Sequence, residues 1–288
     1  MRKINRFNIV LLAGFCIFCS CFRPNYHTIT IAMDSTCTLE QQEIAYEVIN
    51  KRIVSNWIIK EKTNLIDGKF DLNYSGQDSL LTQLLAQRGE IYITEMYRQD
   101  EIQSPRDRVY EKLFWLMENT NHEPLWQIEG YQIGSPDLVK VPLQQVAYID
   151  SIFNSFQALF PAGISFAWTA KPTSEGFFDL LPLKSFRKLP LNPSTVKESN
   201  IRIHDGYQKL YIELNKEAAE EWARITRDNI SRNLAIVMDG KVLMYPRVNA
   251  EITGGKMAIS GNFNSDELLL IKSILLGGEL GCKAQIVK

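Results

Sequence analysis

Histidine is scarce in this chain, and so is cysteine. The three histidines, His27, His122 and His204, stand too far apart for the spacing of a metal site or a catalytic triad. Of five cysteines, Cys16, Cys19 and Cys21 crowd into the first 21 residues. Only Cys37 and Cys282 are left for the body, too few for the four close ligands of a structural zinc site. A phosphate loop is missing, because Gly254-Gly255 is not followed by Lys-Ser or Lys-Thr. A basic excess is missing too. The net charge of −1 already includes Arg2, Lys3 and Arg6, so nothing here suits nucleic acid. Carboxylates such as Glu220 and Glu221 fall in a helical pattern, where a solvated face accounts for them. These absences point away from an enzyme, and from metals, cofactors and nucleic acid.

What is present is the composition of a globular protein, 45% hydrophobic and 23% charged over 288 residues. That length holds one large domain or two ordinary ones. Residues 9–18 form a short apolar run behind a positive start, below the roughly 20 residues a membrane helix needs. This suits a secretory signal peptide. Phe18-Cys19-Ser20-Cys21 resembles a lipobox with Cys21 as the lipidated residue. An ordinary signal peptide cleaved nearby, or a short uncleaved anchor, are the alternatives. Each version puts the body outside the cytoplasm. In an oxidising compartment Cys37 and Cys282 either pair or remain two buried thiols.

The patterns predict an α+β fold with antiparallel sheets. Residues 28–33 alternate as a strand. Thr38-x-x-Gln41 reads as a capping box before a helix whose apolar stripe is Ile44, Val48, Ile49, Ile53 and Trp57. Strands at 58–62 and 69–74, a helix at 79–87 and a strand at 90–97 complete a β-α-β-β-α-β unit of ferredoxin-like type. Residues 101–199 are less regular, with helices at 107–118 and 143–159 and short strands at 164–169 and 177–181. The stripe Tyr148, Ile152, Phe153, Phe156 and Leu159 faces a core in this reading. A second split βαβ unit starts near residue 200. Its helix, capped by Asn215, turns Ala218, Ala219, Trp222, Ala223 and Ile230 inward. Asp239-Gly240 joins two strands through a type I′ turn. Ser265 caps a last helix, ended by Gly277-Gly278, and 284–287 is a final strand.

The run from Glu220 to Phe263 resembles the large periplasmic domain of the SecD/SecDF protein-export family. The resemblance rests on Trp222-Ala223, Thr226, Asn229, Ala235-Ile-Val237, Asp239-Gly240, Tyr245-Pro246, Asn249, Ile252, Gly254-Gly255 and Gly261-Asn-Phe263. Residues 191–196, 45–56 and 89–96 are similar to further parts of that domain. The resemblance divides the chain into a signal segment (1–21), a base (22–100), a connecting region (101–199), a head (200–281) and a terminal strand (282–288) that returns to the base. That return implies that Cys37 and Cys282 approach within disulfide range. It also implies structural roles for Trp222, Asp239, Gly240, Gly254 and Gly255: a core anchor, a hairpin, and a turn closed to other residues.

The departures are as informative. The family's Leu-Asp-Leu-Arg-Gly-Gly-type motif is replaced by residues 29–35, and residues 278–282 replace the lead into its second membrane helix. No membrane helix carries an Asp or Arg for proton transfer, so the expectation is a stand-alone lipoprotein-like form that does not itself couple protons. The implied function is non-enzymatic binding of unfolded or emerging polypeptide on the periplasmic side, tethered to the membrane by lipid, with the Sec translocon as partner. The competing expectation is an envelope protein that reuses the fold to bind one fixed partner. A hydrolase with an unrecognised site is a third.

Overall fold

The computed structural model describes residues 25–54, 58–119 and 136–287. The signal segment with Cys21, together with Trp57 and His122, lies outside the described residues.

The first sheet is built from β1 (His27–Met33), β3 (Lys69–Ser75) and β2 (Ile58–Lys62); α1 (Leu39–Val54) lies between β1 and β2 in sequence, and α2 (Asp78–Ala86) follows β3. The capping box holds: Thr38 N donates to Gln41 Oε1 at 2.9 Å, and Gln41 N donates to Thr38 Oγ1 at 3.3 Å. The buried stripe of α1 is Ala45, Ile49, Arg52 and Ile53, whereas Ile44 is 54% exposed. On α2, Leu81 and Leu84 are fully buried, each adding about 1.5–3 kcal/mol of transfer free energy.

The fourth strand of this sheet is β13 (Ala284–Val287), giving the order β13-β1-β3-β2. Sequence order predicts β4 (Ile91–Met96) for that place, and this is corrected. β4 lies instead between β10 (Leu234–Met238) and β7 (Phe177–Pro190). The cause is its composition. Ile91 and Ile93 are buried on one face, and Tyr92, Thr94 and Met96 on the other. A strand apolar on both faces needs cover on both, and the first sheet leaves one face open on the side of Lys69 and Asp71 of β3. β13, half exposed along its length, tolerates the edge.

Helices and short strands fill the connecting region. α3 (Gln103–Asn119), β5 (Val139–Pro142), α4 (Val146–Ser155) and β6 (Ile164–Trp168) enclose a core of their own around Ile102, Leu113, Ile149, Phe153 and Leu180. The predicted helix at 143–159 is a regular helix only over α4. Tyr148 and Leu159, expected inside, are 43% and 50% exposed. β7 runs straight through Pro182. That residue falls between the stretch paired with β5 and the stretch paired with β4, where the ladder asks for no donor.

β11 (Lys241–Met244), β10, β4, β7 and β6 follow one another in a sheet. A parallel bridge from Thr169 to Val242, with Ala170 N donating to Val242 O at 2.7 Å, brings its two ends together. The five strands thus close on an apolar interior of Met96, Ala167, Leu181, Leu183, Val237 and Val242. The other face of β4 and β10 belongs to the main core.

The third sheet has the order β12-β9-β8, from β8 (Val196–His204), β9 (Tyr207–Leu214) and β12 (Lys256–Ile259). The head is therefore not a closed ferredoxin-like sheet, because its β10–β11 hairpin pairs with β4. α5 (Lys216–Asp228) is capped by Asn215, whose side chain accepts from Ala218 N. It ends before Ile230, which is 47% exposed rather than inward. α6 (Ser265–Gly277) is capped by Asn264, not Ser265, in a capping box with Glu267. It packs against α1, α2, β8 and β9. No helix among the described residues is long and apolar enough to cross a membrane.

Candidate functional site

Arg52 is fully buried at the junction of α1, α2, α6 and the start of β4. Its Nη1 donates to Leu84 O (3.1 Å) and Gln87 O (2.9 Å), its Nη2 to Arg88 O (2.8 Å), and its Nε to Gly278 O (3.0 Å). The guanidinium thus satisfies carbonyls at the ends of two helices. Burial pushes it down to about 10, against the opposing pull of Asp239 and Glu279, so it stays charged at neutral pH. Sequence reasoning missed it, because an arginine near a helix end reads as a surface residue. The available signal was its place on the Ala45–Ile49–Ile53 stripe.

Asp239-Gly240 makes the expected hairpin, with φ of 48° and 79°. Asp239 has a second task. Its carboxylate accepts from Gly89 N at 2.8 Å and from Glu90 N at 2.9 Å, and its own N–H donates to Glu90 O at 3.0 Å. The hairpin is thereby fastened to the entry of β4.

The remaining motif residues are structural in their surroundings. Trp222 is 6% exposed in the main core, and its indole N–H has no hydrogen-bond partner among the described residues. Thr226 Oγ1 accepts from Ile252 N at 3.0 Å, holding the 245–255 loop to α5. Gly255 adopts φ of 62°, and a Cβ there would lie 2.6 Å from Ala219 Cβ. Gly254 has no positive φ and open space around it, so the turn requires only the second glycine. Tyr245 Oη donates to Asp179 Oδ2 at 2.7 Å, tying the head to β7. Lys171 reaches Asn262 O at 2.6 Å and pairs with Glu267, with Nζ 5.3 Å from the Phe263 ring centre. The Gly-Asn-Phe segment is thus the dock for the β6–β7 loop.

Cys37 and Cys282 form a disulfide with a Cα separation of 6.1 Å across 245 residues of sequence. The pairing of β1 with β13, Met33 opposite Ala284, sets them side by side.

His27 Nε2 lies 2.6 Å from Asp78 Oδ1 and stacks at a tilt on Tyr74, while His204 contacts Asp205 on an exposed hairpin. Among the described residues no group of His, Cys, Asp and Glu has metal-binding geometry. What the fold does leave open is backbone. β8 is a nine-residue strand at the edge of its sheet, ending in a hairpin tip where Ile203 and Tyr207 are 73% and 72% exposed.

Residues 184–281 match the family model described as SecDF, P1 head subdomain. A SecD protein translocase subunit of Rhodothermus marinus is 32% identical over 136 residues, which are 46% of this chain and 22% of that protein. The SecD subunit of Sebaldella termitidis is 36% identical over 106 residues, 36% of this chain and 26% of the relative. These matches span about a quarter of the relatives' length. In three dimensions the chain resembles a crystal structure of SecDF in a super-membrane-facing form, with a TM-score of 0.50, 18% identity, and coverage of 91% of this chain and 29% of that one. Residues 184–281 resemble the SecDF P1 head in sequence, and the fold over 91% of the chain resembles that of SecDF.

Proposed function

We propose that the protein is a non-enzymatic, extracytoplasmic polypeptide-binding module that assists protein export. In this reading it holds extended or partly folded chains outside the inner membrane, is tethered there by lipid on Cys21, and leaves proton coupling to other proteins. The observation that carries the reading is the match of residues 184–281 to the P1 head, in a protein whose curated relatives are protein translocase subunits. Supporting it are motif residues engaged in packing and turns, among them Thr226, Tyr245 and Gly255. An exposed strand edge suits backbone capture, a mode that tolerates many sequences.

The test is binding of reduced, carboxymethylated polypeptides to the full chain, followed by fluorescence anisotropy. Binding to several unrelated unfolded chains, and none to the same proteins folded, is the expected result. A pull-down from solubilised membranes that recovers one stoichiometric partner, with no affinity for unfolded chains, would replace this reading with a fixed-partner envelope protein.

A further inference from the structure

The register of the β8–β9 hairpin fixes which backbone groups are free. Asp205 and Gly206 have φ of 54° and 80°, a two-residue type I′ turn, and His204 faces Tyr207 across it. The pair flanking such a turn exchanges hydrogen bonds, and bonded pairs alternate with non-bonded ones along an antiparallel ladder. Arg202, Asn200 and Glu198 therefore bond to β9, opposite Lys209, Tyr211 and Glu213. The N–H and C=O of Ser199, Ile201 and Ile203 point the other way, and of the three only Ser199 is buried. The same alternation turns Leu214 N away from β8, where it donates to Gly255 O at 2.9 Å.

Those three residues also share one face of the strand. Ser199 is 5% exposed, yet its hydroxyl has no partner among the described residues. Ile201 packs partly on the core, and Ile203 continues the same face out into solvent. Backbone groups aimed outward thus alternate with an apolar row on one face. The other edge strands are poorer templates. β12 and β13 have four residues each, β5 has four and ends in Pro142, β2 has five with a register shift, and β11 is bridged to Thr169.

We propose that the open edge of β8 is where client polypeptide binds, as an added strand that pairs with Ile201 and Ile203 and lays alternate apolar side chains beside them. This rests on the polypeptide-binding reading above and assigns it a site. The occupant is an extended segment with apolar residues at every second position.

The experiment uses the full chain and a short synthetic peptide alternating valine and threonine. Amide hydrogen exchange over residues 198–204 should slow when the peptide binds. Ile203→Pro removes an outward donor without touching the β8–β9 ladder, and should weaken binding at least tenfold at an unchanged melting temperature. Ile203→Thr keeps the donor and should retain most of the affinity. If Ile203→Pro fails to fold, the exchange pattern of the wild type decides. Peptide binding with protection elsewhere, and no effect of Ile203→Pro, overturns the edge and spares the function. Absence of any peptide or unfolded-chain binding overturns both. Protection of 198–204 that grows with protein concentration alone assigns the edge to a second copy and overturns the client site.

Discussion

Arg52 occupies the space that a side chain on Gly89 would need. A Cβ built on Gly89 runs into the guanidinium Nη2 and lies 2.8 Å from Ile274 Cγ2. Gly277 makes the same allowance for the Arg52 stem. The two glycines and the arginine act as one packing unit, and it stands where α1, α2 and α6 meet.

Gly89→Ala tests that unit. Gly89 and Gly176 have nearly the same φ, 88° and 87°, but nothing lies within 4 Å of a Cβ on Gly176. Gly176→Ala should cost only the backbone strain, about 1 kcal/mol. Gly89→Ala should cost roughly 2 kcal/mol more, from overpacking against a buried charge. Equal losses in urea denaturation would mean that Arg52 moves aside freely.

The hairpin gives a second comparison. Gly240 also has open space around its missing Cβ. Gly240→Val should therefore destabilise by roughly 1–3 kcal/mol through φ alone. Asp239→Ala should cost about 2 kcal/mol through the uncapped Gly89 and Glu90 amides. An unchanged melting temperature for either variant would contradict the role assigned to that residue.

The Cys37–Cys282 bridge is checked by thiol counting on unfolded, unreduced protein, where neither of these two should react. Chain-entropy arithmetic for a loop of this length gives about 5 kcal/mol, and native strain commonly lowers it. Cys37→Ser with Cys282→Ser should lose roughly 2–5 kcal/mol. Two free thiols in oxidised protein would remove the bridge from the account of stability.

Asp78 sets an acid limit. Hydrogen bonds from Tyr74 first, and then His27, hold its carboxyl below the ordinary 3.8. A depressed folded value means that the contribution is full above 3.8 and fades as the pH falls through the lower value. Acid unfolding should therefore sharpen below pH 3.8, and Tyr74→Phe should soften it. A pH profile identical in the two proteins would leave the Tyr74 contact without energetic weight.

Lipidation at Cys21 is tested by metabolic labelling with a fatty-acid analogue. The wild type should take the label, and Cys21→Ser should lose it and accumulate as precursor. Label that survives the substitution would refute the anchor.

Local elements were largely legible in the sequence, and their partnerships were not. Thr38 and Gln41, Asn215, and Asp239-Gly240 each announce a cap or turn within four residues of themselves, and each sits as its chemistry requires. Alternation in 91–96 announces a strand but is silent about which strand it joins. Only the burial of both its faces explains why β4 leaves the first sheet and β13 takes its place. Ile44 and Ala45 differ by one position on a helix whose stripe is weakly marked, and the larger residue misled. Arg52 was illegible because its partners are backbone carbonyls, which carry no sequence signature. The open edge of β8 was hidden in the same way. Which amides are free depends on turn register and on the absence of a neighbour.

The closed ring of five strands has a consequence for the order of folding. β4 is complete by residue 96, whereas β10 and β11, which cover one of its edges and finish the ring, arrive only at residues 234–244. A chain lengthening from its N-terminus must carry Ile91-Tyr92-Ile93, a short apolar β-former, without its final neighbour for some 140 residues, and such segments are the ones that associate wrongly. The slow step in refolding should then be capture of the β10–β11 hairpin by β4, and substitutions in Ala235 or Val237 should slow folding more than those in the separately cored middle of the chain.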